Sequence, residues 1–344
     1  MSLLLNLEGA LNDDPKAPWD QVKAADPASY ALIVLDFLHL LFKVLTISMR
    51  FEPANAKQFF SEVRYDSLTV SLKLTGAFED VETIEAKADT RQVTLESCRD
   101  WLTACHRVFQ VHLDDRVIPT DIPHRMLYVC YILRLLFNMA LDNYEKPSGD
   151  LSKCSASEEI SPLINGNHNR TLFPNAPDSI IVHPGAVMCI LDLLPAIVVS
   201  GNDDPVWALV VQLYAAEVLK SLVRSERNQQ VMCDAGLPRR LFVVGNSLLK
   251  TDVHLLLPPF YYILERLSNN SMQPRELRYF LRLDKPLCCR NLEERPGEEP
   301  MVENEGGPVP LTRVKALVSM MTPRDYRVGA APPFIEFDMS VEGF

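Results

Sequence analysis

Apolar residues recur by threes and fours along most of the chain, in runs long enough for helices of several turns. "TLESCRDWLTACHRVFQVHL" at 94–113 lines up Leu95, Cys98, Leu102, Cys105, Val108 and Phe109 on one face. "HRMLYVCYILRLLFNMAL" follows, opened by Pro123 and broken inside only by Arg134 and Asn138. "HPGAVMCILDLLPAI" and "DPVWALVVQLYAAEVLKSLVRSE" continue the series. In the second of these, Trp207, Val210, Leu213, Tyr214, Val218 and Leu222 form the apolar stripe, and Glu217, Lys220 and Arg224 the polar one. "LPPFYYILERL" and "QPRELRYFLRL" each carry proline in the first turn, where its missing N–H costs little. A period near 3.6 residues predicts amphipathic helices that bury one face.

The stretch "ALIVLDFLHLLFKVLTISM" at 31–49 is apolar enough to invite a membrane reading. Asp36, His39 and Lys43 interrupt it at i, i+3 and i+7, on one helical face, and a bilayer would strand that stripe in lipid. The expectation is an amphipathic helix largely buried in protein.

Two stretches break the rhythm. Residues 146–178 are rich in Ser, Asn, Pro and Gly and read as a flexible linker. "EERPGEEPMVENEGGPVP", with its six glutamates and three glycines, reads as disordered. Elsewhere the helical segments share a grammar. "NAKQFFSEVRYDSL" at Asn55 and "NQQVMCDAGLPRRL" at Asn228 each set an asparagine ahead of an apolar pair and a short turn into a further helix. "GAVMCILDLLP" and "AGLPRRLFVVGNSLL" each lead from small residues into an apolar face. This is the pattern of armadillo and HEAT units, about 40–47 residues of two or three helices, each burying its apolar face on the next.

The expected fold is therefore all-α, an armadillo/HEAT-like α-solenoid. Its parts are a helical segment at 1–145, the linker at 146–178, armadillo-like repeats at 179–290, an acidic disordered linker at 291–312 and a connector at 313–344. The connector ends on "PPFIEFDMSVEGF", where Phe334, Glu336, Asp338 and Ser340 alternate with Ile335, Phe337, Met339 and Val341. Period two marks a strand. A lone strand cannot satisfy its own backbone, so this one reads as the first strand of a truncated sheet.

Composition removes several function classes. A net charge of −11 opposes phosphate backbones, so nucleic acid is not an expected partner. Eight cysteines without a C-x-x-C pair fit reduced thiols and a cytoplasmic location; adjacent Cys288 and Cys289 make a poor staple. "MSLLLNLEGAL" lacks the basic start and cleavage site of a secretory signal. Nucleotide-binding, hydrolase and zincin motifs do not occur. Cys105, His106 and His112 lack metal-ligand spacing, and Cys105 lies on an apolar face as a core thiol. His183, before Pro184-Gly185, is expected to help satisfy orphan N–H groups at a helix start. No catalytic residue, cofactor or metal is expected, and the chain does not read as an enzyme.

Two features remain as interaction candidates. Arg275, Arg278 and Arg282 fall at i, i+3 and i+7 opposite Leu277, Phe280 and Leu281. Such a stripe is either a solvated face or a dock for an acidic partner or anionic lipid. In "DDPKAPWDQV", Trp19 and Val22 resemble the aromatic-x-x-aliphatic motif that adds a strand to ubiquitin-like autophagy modifiers. The same pattern in "DDPVWALV" lies within an apolar stripe and reads as core.

The C-terminal residues carry the most specific signal. "PLTRVKALVSMMTPRD" followed by "PPFIEFDMSVEGF" closely resembles the end of the armadillo-like region of the Alfy and blue cheese family, the WD-repeat and FYVE-domain BEACH proteins. "MRFEPANAKQFF", "HPGAVMCILDLLP", "SLVRSERNQQVMCDAGLPRRL" and "LRLDKPLCCRN" look like further landmarks in family order, so the resemblance covers most of the chain. A paralogous immune-cell branch shares several of these stretches, which leaves the branch open. The resemblance implies a fragment of a large cytoplasmic scaffold for selective autophagy of protein aggregates (aggrephagy), associated with autophagosomes and partnered by autophagy machinery. It also implies that "FIEFDMSVEGF" opens a concanavalin-like sandwich. Membrane contact would come through FYVE and BEACH modules that these residues do not include. The alternative reading is a membrane-associated trafficking module whose Arg275, Arg278 and Arg282 face meets anionic lipid.

Overall fold

The computed structural model describes residues 2–12, 27–85, 93–110, 122–143, 156–166, 170–172, 179–198, 205–251 and 254–268, together with Glu276. Among these residues the chain is helical and has no strand. The terminal strand at 334–341, the acidic linker at 291–312, Arg275, Arg278, Arg282, Trp19 and Val22 all lie outside them.

After α1 (Ser2–Leu5) come α2 (Pro27–Phe51), α3 (Pro53–Gln58) and α4 (Arg64–Leu72). Next are α5 (Arg99–Gln110), α6 (His124–Leu141), α7 (Ala156–Ile164) and α8 (Pro184–Leu193). The series ends with α9 (Pro205–Leu222), α10 (Glu226–Asp234), α11 (Leu237–Val244) and α12 (Leu257–Ser268). Several starts follow from local chemistry. Proline opens α3, α8 and α9 and sits at the start of α11, and Pro123 is the N-cap of α6. Ser225 caps α10 by accepting the Asn228 N–H.

The packing proceeds in steps. One column runs α2 on α6, α6 on α9 and α9 on α12; a second runs α4 on α8 and α8 on α11. The columns are joined where α6 and α9 both meet α8, while α5 rests on α6, α7 and α9. This is a solenoid-like arrangement in which each helix pair covers the apolar face of the pair before it. Helices inside the stack lose their polar side. In α6, Met126 to Leu133 is a run of buried residues, and α9 buries Trp207, Val210, Leu213, Tyr214, Val218 and Leu222.

Two glycines set joints that other residues would strain. Gly76 adopts φ +91 at the end of the π-helical turn Lys73–Ala77. A Cβ there would lie 2.8 Å from Asn12, because the N-terminal strap binds back at this point: the Gly9 and Leu11 N–H groups donate to Leu74 and Thr75 carbonyls. Gly236, φ +85, turns the chain from α10 into α11.

Three expectations need correction. Residues 156–164, inside the stretch read as a linker, form α7, which buries Ile160 and packs on α5. Glu217 and Lys220, read as a solvated stripe, are each 1% exposed, because α12 covers the side of α9 on which they lie. And α2 is buried on one face only. Leu35, Leu38, Phe42 and Met49 are buried, whereas Ile33, Leu40, Val44 and Phe51 stand out in solvent.

The stepped core makes burial of α9 the condition for everything beyond it. Leu213→Asp or Leu222→Asp puts an unpartnered carboxylate into that core at a cost of about 2–7 kcal/mol, so the thermal transition should drop steeply or disappear. Lys57→Ala, on the exposed side of α3, should leave it in place. Equal melting of the two classes by circular dichroism would rule out this arrangement.

Candidate functional site

The chemistry-bearing side chains gather at the joints between helices. In α9 the backbone places Glu217 and Lys220 one turn apart, with Nζ 3.1 Å from Oε2. Lys220 Nζ also lies 5.0 Å from the centroid of the Tyr262 ring on α12, a cation–π contact, and the Arg266 guanidinium lies 5.1 Å from the same centroid. Burial pushes the Glu217 carboxyl up to about 7, and Lys220 pulls against that rise. The desolvation of a carboxylate outweighs the attraction of a single ammonium here.

One turn earlier, Tyr214 ties α9 to α5. The Gln110 amide lies 2.9 Å from His106 Nε2 and donates to it, which leaves the ring proton on Nδ1 facing the Tyr214 hydroxyl at 2.9 Å. The Phe109 ring meets Tyr214 and Phe137 edge-on, with centroids 5.5 and 5.2 Å apart, so α5, α6 and α9 share one aromatic knot. His106, beside Cys105 in sequence, is therefore a buried tie between helices.

Asn228 and Gln229 organise the bend after α9. Asn228 Nδ2 donates to the carbonyls of Ser179 and Leu222, and its Oδ1 accepts the Ile181 N–H. Gln229 donates to the carbonyls of Val223 and Arg224. Two amide side chains thus satisfy the open end of α9 and hold the extended residues 179–181 that lead into α8. The asparagine singled out in "NQQVMCDAGLPRRL" has a structural task.

Arginine–carboxylate pairs brace the remaining joints. Arg50, at the end of α2, grips Asp142 through Nε and Nη2 at 2.6 and 2.7 Å and donates to its carbonyl at 2.9 Å. Arg125 joins Glu79 at 2.8 Å and the Ala77 carbonyl at 3.2 Å, and Arg240 pairs with Asp192. His183 is the N-cap residue of α8, yet its side chain makes no capping bond and neither ring nitrogen has a partner among the described residues. Burial and, after it, the Arg50 charge lower its basicity against the pull of Asp142. Its expected capping role is thereby corrected: Pro184 has no N–H to cap and the Ala186 N–H is already taken by the His183 carbonyl.

Nucleophiles are masked in the same way. Burial pushes the Cys189 and Cys233 thiols up to about 12 and raises Cys98 and Cys105 too. All four stay protonated near neutrality, and a thiol rather than a thiolate is a poor nucleophile. The arrangement braces helices, and outward it offers surface. The two interaction candidates from the sequence, Arg275/Arg278/Arg282 and Trp19/Val22, lie outside the described residues.

Across its whole length the chain is 26% identical, over 403 aligned residues, to the WD repeat- and FYVE domain-containing protein 4 of Homo sapiens. It matches the protein of the same name from Mus musculus at 26% identity over 396 residues. The chain spans 12% of the length of each of these curated relatives. No family profile matches the chain, and no solved structure matches it.

The buried ion pair yields a pH test. Glu217 holds its proton more tightly when folded, about 7, than its ordinary value of 4.5. Its contribution to stability is thus full below about pH 4.5 and is lost as pH rises through about 7. Between about pH 5 and pH 8 the melting temperature of the wild type should fall relative to Glu217→Gln; parallel profiles would contradict the assignment. Lys220→Met alone strands the carboxylate and should cost about 3–5 kcal/mol, most of it recovered in Glu217→Gln/Lys220→Met.

Proposed function

We propose that the chain, 26% identical along its whole length to WD repeat- and FYVE domain-containing proteins, is a non-enzymatic helical scaffold segment of such a large protein of the BEACH family. It works through protein–protein interaction in selective autophagy of protein aggregates. In this reading the parent protein is cytoplasmic and reaches forming autophagosomes through its other modules, and its partners belong to the autophagy machinery. The observation that supports it most is how the ionisable groups are used. Arg50, Arg125, Lys220 and Arg240 each pair with a carboxylate, three of the four pairs joining separate elements, so that rigid helical surfaces are what is presented outward.

The test belongs in the whole protein. Removing residues 27–268, or introducing Leu213→Asp within them, should slow clearance of protein aggregates in cells while the protein itself still accumulates. Clearance that proceeds unchanged without the segment would sink the proposal.

A further inference from the structure

The outer face of α2 carries a second apolar stripe, opposite the one seated on α6. Ile33, Phe37, Leu40, Val44, Ile47 and Phe51 follow one another at steps of four, three, four, three and four. That is the spacing of a coiled-coil seam, and it keeps all six within a narrow arc of the helix. Ile33, Leu40, Val44 and Phe51 are 65%, 58%, 64% and 69% exposed. A helix apolar on both sides is ordinarily covered on both, and a contiguous exposed apolar strip of this kind marks an interaction site.

The flank of the stripe says what covers it. Asp36, Lys43 and Arg50 recur every seven residues along one edge. Arg50 is held by Asp142, which leaves Asp36 and Lys43 along the open part of the seam. They are two turns apart, about 10 Å along the axis, too far to pair within one helix. We propose that α2 pairs with α2 of a second copy of this chain, antiparallel, about a two-fold axis level with Leu38 and His39. In that register Ile33 meets Val44 of the second copy and Phe37 meets its Leu40, each contact occurring twice. Like flanks face each other in an antiparallel pair, so Asp36 comes opposite Lys43 of the second copy and Lys43 opposite its Asp36. The stripe is thus complementary to itself in charge as well as in shape, which an anionic membrane surface would not match: among the described residues the open part of the seam carries Lys43 and, two turns away, Asp36. A single helix pair buries less than the ~800 Å² per partner of a standard complex, so association belongs in the micromolar range.

The test uses the full 344-residue chain in sedimentation equilibrium and light scattering at tens of micromolar. The wild type should be a dimer, and Leu40→Asp a monomer of unchanged helix content. Asp36→Lys and Lys43→Asp should each weaken association roughly tenfold, by setting like charges opposite one another. The double variant Asp36→Lys/Lys43→Asp should restore it, because both reciprocal pairs re-form with signs exchanged. A monomeric wild type overturns the proposal, whether the stripe is then covered from within the polypeptide or by lipid in a vesicle-flotation assay. A dimer untouched by Leu40→Asp, or single charge variants not rescued by the double, overturns the register and the surface alike.

Discussion

The structure depends on α9 being buried on all sides. A helix in that position cannot keep a solvated stripe, so the charges its sequence carries must be neutralised inside. Glu217 and Lys220 do this one turn apart, with Tyr262 closing over the ammonium. Tyr214 reaches α5 through His106, and Asn228 and Gln229 satisfy the carbonyls at the helix end. Tyr214 and Lys220 thereby tie α9 to α5 and α12, and Asn228 and Gln229 tie its end to α10. Buried polar networks of this kind fix relative placement more than they add net stability.

From α9 the same logic spreads along both columns. Arg240 with Asp192 ties α11 to α8, Arg50 with Asp142 ties α2 to the end of α6, and Arg125 with Glu79 ties α6 to the extended segment after α4. That segment is itself anchored at both ends, where the Glu79 N–H meets the Ala196 carbonyl and the Ile84 N–H the Val244 carbonyl. The buried residues of the stack form one cluster that is continuous through its centre. The open side is α2, which turns a second apolar stripe outward after burying seven apolar residues, Tyr30, Ala31, Val34, Leu35, Leu38, Phe42 and Met49, inward.

Much of this was legible in the chain. The runs at 99–110, 124–141, 184–193, 205–222 and 257–268 show the helical period plainly, and Cys105 and Trp207 are core as their spacing implied. The errors share one physical origin. Periodicity within a helix tells which side prefers burial, not how many sides the neighbours cover. Glu217 and Lys220 read as solvated because α12 is distant in sequence, and α2 reads as largely buried because its apolar positions outnumber the stripe of Asp36, His39 and Lys43. α7 escaped notice because Pro162 and the acidic residues Glu158 and Glu159 obscure a short apolar spacing. The ties made by His106, Asn228 and Asp142 depend on contacts between elements, and no local pattern announces them.

Amide hydrogen exchange on the whole chain tests the central claim most directly. If α9 is the element on which the stack depends, the amides of 209–222 should be the slowest to exchange. They should open only with global unfolding, together with those of 127–140 in α6. Exchange of α9 that is faster than that of α2, or that proceeds while α6 and α12 stay protected, would show that the core does not run through it.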